Sequence, residues 1–272
     1  MNILENILQH KKVEVEKNKG LYPVRLLEDS IYYKTQPVSL KEYLNRKDKI
    51  GVIAEIKRRS PSKGVINNYI SVERTSIGYM QSGASALSII TDKEFFGGSN
   101  EDLMQARKFN YCPILRKDFI IDEYQIIESK SIGADVVLLI ASSLSPKRIR
   151  ELAAFAKTLK LEVLLETVSE KEIKDNLSEH IDLIGINNRN LEDFSVNPEL
   201  SFQLGKFIPD EFVKVSESAL KKPEHIMQLK SIGFKGFLIG TSFLKYSRPE
   251  VACAELIKNV HELMLNEKIT TE

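Results

Sequence analysis

The chain of 272 residues has no tryptophan and only two cysteines, Cys112 and Cys253. Two cysteines outside any CxxC pair exclude a disulfide framework and fit a reducing compartment. The four histidines, at positions 10, 180, 225 and 261, form no HxH, HExxH or Cys/His cluster, so no metal site is predicted. His180 and His225 read as helix-end residues. No charge sign dominates either: 39 Lys+Arg against 38 Asp+Glu leave a net +1. That balance argues against nucleic acid or an acidic membrane as partner. No run of 18 apolar residues occurs, so no membrane span is expected. Met1 to Lys19 mixes Glu with Lys, which fits neither a secretory signal nor a transit peptide, and a cytoplasmic protein is expected. There is no GxGxxG and no GxxxxGK[ST], which removes the usual signatures of dinucleotide and nucleoside-triphosphate sites.

What remains is an ordinary globular composition, 42% hydrophobic and 28% charged. The length suggests about two domains at roughly 150 residues each, but α/β barrels reach about 250 residues as one unit. One frame recurs along the chain. Ser82-Gly83-Ala84, Ile132-Gly133-Ala134 and Ile232-Gly233-Phe234 each lead into a buried strand. In each, the Gly closes a helix from the left-handed region, which costs Gly little. Strands are predicted at 51–57, 85–90, 113–117, 135–140, 162–166, 182–187, 211–216 and 236–240. Helices are predicted at 71–81, 101–109, 122–131, 146–159, 169–177, 223–230 and 248–265, with a short one at 198–204. Pro146 and Pro223 stand where a first helical turn tolerates the missing N–H.

Continuously apolar strands alternating with amphipathic helices indicate a parallel sheet covered on its outer face. Eight such units predict a closed (β/α)8 TIM barrel; a doubly wound open sheet is the runner-up. Residues 1–45 precede the first strand and carry an amphipathic pattern, Ile3, Leu4, Ile7, Leu8, Val13 and Val15. They are read as an N-terminal helical extension over the barrel, within a single domain spanning 1–272.

Catalytic groups in such barrels come from the C-terminal ends of the strands. Here those ends are polar: Glu55 and Lys57 on the first, Lys117 on the third, Glu166 on the fifth, Asn187 and Arg189 at the sixth, Glu217 and Ser218 at the seventh, and Thr241 at the eighth. Glu55 and Lys57, two apart, share a face and should project into the barrel mouth if Ala54 and Ile56 meet the helices. A barrel-filling salt bridge is the competing account, but buried charge is expensive unless paired. A lone strand-end lysine is often a solvated flank; it is the convergence of six ends that points to an active site. Two lysines near two carboxylates suit acid–base work on an anionic substrate. Clustered cations are expected to lower the proton affinity of the lysines. Phosphate is expected between the last two loops, on Gly236 and the Gly240-Thr241-Ser242 step, and Ser60-Pro61-Ser62-Lys63-Gly64 could close as a lid. On composition alone the latter is an ordinary surface loop.

The stretch 52–64, Val-Ile-Ala-Glu-Ile-Lys-Arg-Arg-Ser-Pro-Ser-Lys-Gly, resembles the signature of the indole-3-glycerol-phosphate synthase family. The resemblance continues through Ile89-Ile90-Thr91-Asp92, Phe95-Phe96-Gly97-Gly98-Ser99, and 113–119. It extends to Leu164-Leu165-Glu166, 184–191 and Ser216-Glu217-Ser218, and so covers almost the whole chain. It implies conversion of 1-(2-carboxyphenylamino)-1-deoxyribulose 5-phosphate to indole-3-glycerol phosphate, carbon dioxide and water, without a cofactor. By similarity Lys117 is the general acid of ring closure and Glu166 assists at the leaving hydroxyl. Lys57 meets the substrate carboxylate, with Glu55 as its partner or as a base. Asn187, Arg189, Glu217 and Ser218 orient the sugar and the lysines, and Ser60 contributes from the loop. Phe96, Phe119 and Leu138 form the apolar wall, while Gly236, Gly240, Thr241 and, more weakly, Ala219 bind phosphate. The family commonly has Gly where this chain has Ala219, and a left-handed backbone there would strain Ala by about 1 kcal/mol. The only expected partner is this phosphorylated small molecule, and a monomer is expected rather than an oligomer. Two other readings compete. A phosphoribosylanthranilate isomerase would need a Cys/Asp pair, yet Cys112 lies at the start of its strand. An inactive barrel used for protein interaction would be expected to have lost Lys117 or Glu166, and both are present.

Overall fold

Short polar residues start many of the helices of this chain and glycines end several of them. Ser39, Ser71, Ser99, Ser145 and Ser169 each accept the N–H three residues on, and Asn2 and Asp122 complete capping boxes with Glu5 and Gln125. Gly83, Gly133 and Gly233 adopt φ of +96°, +91° and +98°, the left-handed exits predicted for them. A computed structural model describes residues 2–191 and 193–271. Its strands are β1 (Val52–Ile56), β2 (Ala86–Ile90), β3 (Ile114–Lys117), β4 (Val136–Ile140), β5 (Glu162–Thr167), β6 (Leu183–Asn187), β7 (Val213–Glu217) and β8 (Phe234–Ile239). All pair in parallel with their chain neighbours, and β8 returns to β1, closing the barrel. β7 begins later than the predicted 211 because a turn, Phe212 N–H to Pro209 C=O at 3.2 Å, still occupies that position.

Three helices precede the barrel: α1 (Ile3–Leu21), α2 (Val24–Glu28) and α3 (Leu40–Leu44). The outer ring holds α4 (Val72–Gln81), α5 (Asn100–Phe109), α6 (Glu123–Ser131), α7 (Pro146–Thr158), α8 (Glu170–Asn176), α9 (Leu200–Leu204), α10 (Pro223–Ser231), α11 (Thr241–Leu244) and α12 (Pro249–Thr271). Pro146 and Pro223 occupy first-turn positions as expected. The loop after β1 is more ordered than a plain surface loop, since Arg59–Ser60 pairs antiparallel with Gly64–Val65. Among the described residues no helix is long and apolar enough to cross a membrane.

Strand alternation divides the core into two shells. Ile53, Leu115, Val136, Leu138, Leu164, Val215 and Leu238 fill the barrel interior. Their neighbours Ala54, Ile56, Leu87, Val137, Leu139 and Val163 pack outward with α-helical residues such as Tyr79, Leu152 and Ile257. Both strand faces are therefore buried, which is why the strands read as continuous apolar runs.

The N-terminal extension closes both ends. At the C-terminal mouth, α1 inserts Leu4 and Ile7 among interior residues, and its Lys11 reaches Asp118 (2.9 Å) and Asp92 (3.1 Å) just beyond β3 and β2. At the opposite end, α3 places Leu40 and Leu44 under the barrel. Glu162, the first residue of β5, accepts the Leu40 and Lys41 N–H groups at 2.8 and 3.0 Å, satisfying donors a helix start leaves unpaired. Neither α2 nor α3 was predicted: five residues are too few for a helical period to register.

Leu44 lies at the end remote from the polar mouth and is 3% exposed. Leu44→Ala is expected to destabilise the protein by about 2–5 kcal/mol in urea unfolding while leaving kcat within about twofold. A large fall in kcat at unchanged stability would contradict this separation of ends.

Candidate active site

The polar strand ends predicted from the sequence meet at one mouth. Lys117, the last residue of β3, places Nζ 2.5 Å from Glu166 Oε2 on β5 and 3.3 Å from Glu217 Oε2 on β7. Asn187, ending β6, donates to Glu166 Oε1 at 2.9 Å, so that carboxylate is held from two sides. Glu55 and Lys57 leave β1 on one face and form an ion pair with each other. Glu55 packs so closely on Gly240, beyond β8, that a Cβ there would lie 3.0 Å from the Glu55 Cβ and collide with its carboxylate. The Gly at 240 is thus needed as much for Glu55 as for any ligand.

These groups line a cavity of about 690 Å³. One wall is apolar: Phe96 and Phe119, with ring centroids 6.0 Å apart at 37°, and Leu138. The opposite side carries main chain from Ser218-Ala219 and from Gly240-Thr241, where α11 begins. Ser218 and Ala219 have φ of +66° and +59°. Two successive non-glycine residues in the left-handed region are costly, at about 1 kcal/mol or more each, and such strain gathers at ligand sites. Ser60, Pro61, Ser62 and Lys63 of the small hairpin border the cavity. Arg189 also lines it, though one guanidinium nitrogen donates to the Phe194 carbonyl of its own loop at 3.1 Å.

The electrostatics differ from the clustered cations expected above. Burial would by itself push the Lys117 ammonium down, but Glu166, Glu217 and Glu55 outweigh it and hold this lysine above the ordinary range. The nearest charges are carboxylates, so Lys117 is a protonated donor before any ligand arrives. Glu217 bears the cost. Burial and the neighbouring Glu166 and Glu55 charges push its carboxyl up to about 8, against the downward pull of Lys117. Its other oxygen, Oε1, is buried without a hydrogen-bond partner.

One predicted position is not brought to this mouth. Gly236 sits two residues into β8, where an added Cβ would lie 2.9 Å from the Val215 side chain and 3.0 Å from Leu44. It faces the buried end with α3, and its small size answers to packing there. Cys112 precedes β3 at the same remote end, and burial pushes its thiol up to about 12, which removes the Cys/Asp chemistry of the isomerase reading. Sequence reasoning missed Asn188. Its amide nitrogen donates to the Ser218 carbonyl at 3.0 Å and to Ser216 Oγ at 3.2 Å, while its oxygen accepts the Ser201 N–H and hydroxyl. Asn188 thereby pins the strained turn from behind. The adjacent Asn187 points into the cavity, and period-two alternation was the available clue that Asn188 must point away.

The sequence model of the family described as indole-3-glycerol phosphate synthase matches residues 4–256. The chain is 44% identical over 259 residues to a protein named indole-3-glycerol phosphate synthase from Bacteroides thetaiotaomicron, covering 95% of this chain and 99% of that one. Proteins of the same name from Caldanaerobacter subterraneus subsp. tengcongensis and Campylobacter curvus are 42% and 38% identical. They cover 95% and 96% of this chain and 98% and 99% of their own.

The raised Glu217 carboxyl gives a signed prediction. The folded state keeps a proton that the unfolded state loses near pH 4.3, so this contribution is complete below that pH and is lost as pH rises through about 8. Glu217→Gln should therefore gain stability relative to wild type between pH 5 and pH 8, by at most about 1.4 kcal/mol per pH unit. Urea unfolding of both proteins at pH 5, 6.5 and 8 measures it; parallel pH slopes would sink the assignment.

Proposed function

The chain belongs to the indole-3-glycerol phosphate synthase family, and from that membership we propose how its mouth performs the reaction of tryptophan biosynthesis that the family name describes. The substrate, a phosphorylated small molecule, is 1-(2-carboxyphenylamino)-1-deoxyribulose 5-phosphate. The observation that carries the assignment is the Lys117 ammonium between Glu166 and Glu217, facing a cavity with an apolar aromatic wall at one side and strained main chain at the other.

The substrate ring lies along Phe96, Phe119 and Leu138, and its phosphate meets N–H groups of the 218–219 turn and the start of α11 at Gly240-Thr241. Lys57 faces the ring carboxylate, with Glu55 holding its ammonium in place. Asn187, Arg189 and Ser218 orient the sugar hydroxyls, and Ser60 covers the ligand from the hairpin. In the first step the aromatic carbon bearing the carboxylate attacks the ketone carbon, forming the carbon–carbon bond. The carbonyl electron pair moves to oxygen, which takes a proton from Lys117. Carbon dioxide then leaves, and its bonding electrons restore the aromatic ring. Finally the new hydroxyl departs as water with a proton supplied at the mouth. A proton is removed from the carbon next to nitrogen, completing the indole double bond.

Glu166, tied to both Lys117 and Asn187, stands where it can return a proton to Lys117 and serve the departing hydroxyl. The net change, loss of carbon dioxide and water with carbon–carbon bond formation, places the enzyme among the carboxy-lyases. Preorganised donors in a cavity sheltered from water contribute on the order of several kcal/mol to such a barrier. Two buried, unpaired cysteines are in keeping with a cytoplasmic setting.

A chain without tryptophan is dark where an indole product fluoresces, so turnover can be read directly. Purified protein is expected to convert the substrate with rising indole fluorescence, and Lys117→Met to lose about 10²–10⁴-fold in kcat with a smaller change in KM. Absence of wild-type turnover would overturn the functional reading. A Lys117→Met variant retaining most of its rate would overturn the acid assignment alone.

A further inference from the structure

Lys11 is the buried charge of the N-terminal helix, and neither surface anchoring nor the apolar insertion of Leu4 and Ile7 explains it. It is fully buried, and its Nζ lies 2.9 Å from Asp118 Oδ1, 3.1 Å from Asp92 Oδ2 and 2.9 Å from Glu14 Oε1. The helix is already tied to the barrel at its surface by Lys19, 2.9 Å from Asp122. An additional buried ammonium is expensive unless its carboxylates need it.

Those carboxylates have a second occupation. Asp92 Oδ1 accepts the N–H groups of Phe95 and Phe96 at 2.8 and 3.1 Å. Asp118 Oδ1 accepts the N–H of Phe119 at 2.8 Å. Each therefore fixes the main chain of one ring of the Phe96–Phe119 wall. Arg116 and Thr91 also hold Asp118, whereas Lys11 is the cation placed on Asp92. One ammonium spanning both carboxylates sets the distance between the two loops that carry the rings. Next to Lys11 on the helix, His10 packs edge-on against Phe95, with centroids 5.7 Å apart, reinforcing the same loop.

We propose that Lys11 is a positioning residue for the aromatic end of the substrate: by bridging Asp92 and Asp118 it fixes the separation of Phe96 and Phe119, and so the slot that receives the carboxyphenyl ring. This rests on assigning that wall to the ring, as above. Lys11 contacts no reacting atom, so its loss should weaken ring recognition while sparing the phosphate end and the proton-transfer lysine.

The test compares full-length Lys11→Met, Asp92→Ala, Phe96→Ala and Lys19→Met, reading kcat, KM, inhibition by inorganic phosphate, and Tm. Lys11→Met is expected to raise KM about tenfold, with kcat within about threefold and phosphate inhibition within about twofold of wild type. Asp92→Ala, acting from the barrel side, should give the same split, and it decides the matter if Lys11→Met does not fold. Lys19→Met should lower Tm without moving KM. A fall in Tm with unchanged KM for both Lys11→Met and Asp92→Ala would overturn the inference, as would KM and phosphate inhibition weakening in parallel. Phe96→Ala separates the two levels. If it leaves KM unchanged, the wall is misassigned and the inference falls with it; if it raises KM while the other two variants do not, only the role of Lys11 fails.

Discussion

The mouth of this barrel depends on a charge constraint: two lysines and three carboxylates share a space largely closed to water. Lys117 remains an ammonium there chiefly because the Glu166 carboxylate lies against it at 2.5 Å. Glu217 in turn sits so near Glu166 and Glu55 that it favours its proton. Removing either member of the Lys117–Glu166 pair leaves an uncompensated buried charge, the costliest defect a core can carry. The same arrangement that keeps Lys117 protonated goes with Asn187 beside Glu166, Lys57 beside Glu55, and a Gly at 240 where any side chain would displace Glu55.

The N-terminal extension serves this site from both ends. At the bottom, α3 seals the interior with Leu40 and Leu44 and borrows the Glu162 carboxylate to satisfy its first N–H groups. At the top, α1 buries Lys11 in the acidic loops that carry the aromatic wall. Barrel strands hold the charged groups rigidly, whereas loops hold the rings, so the loops are where added bracing has most effect. The two glycines mark the two ends of the barrel axis, with Gly236 at the packed end and Gly240 at the polar mouth.

Much of this was legible in one dimension. Strand ends at Lys57, Lys117, Glu166, Asn187 and Glu217 could be read because an apolar run stopping at a charge marks the rim of a parallel barrel. Two helix starts were legible through the first-turn prolines Pro146 and Pro223, and helix ends through Gly83, Gly133 and Gly233. Three things were not. α2 and α3 are shorter than the period that would announce them. Gly236 looked like phosphate-binding main chain, since a glycine near a strand end gives no sign of whether backbone access or a crowded neighbour requires it. The proton affinity of Lys117 was expected to fall, because the sequence displays the cations on strand ends but not their distances to carboxylates on other strands.

The sequence by itself determined which residues face inward and which strand ends are polar, because side-chain direction follows from a period of two along a strand. It also determined the family, through motifs spread over nearly the whole chain. Only the tertiary structure decided which of those polar ends touch. Lys117, Glu166 and Glu217 are 49 and 51 residues apart in sequence, and closure of the barrel alone brings them within ion-pair distance. Lys11 is the extreme case: a lysine in a charged, amphipathic helix reads as solvated until the fold places two aspartates over it. Coulomb energy depends on separation and on burial, and neither quantity exists until the chain has closed.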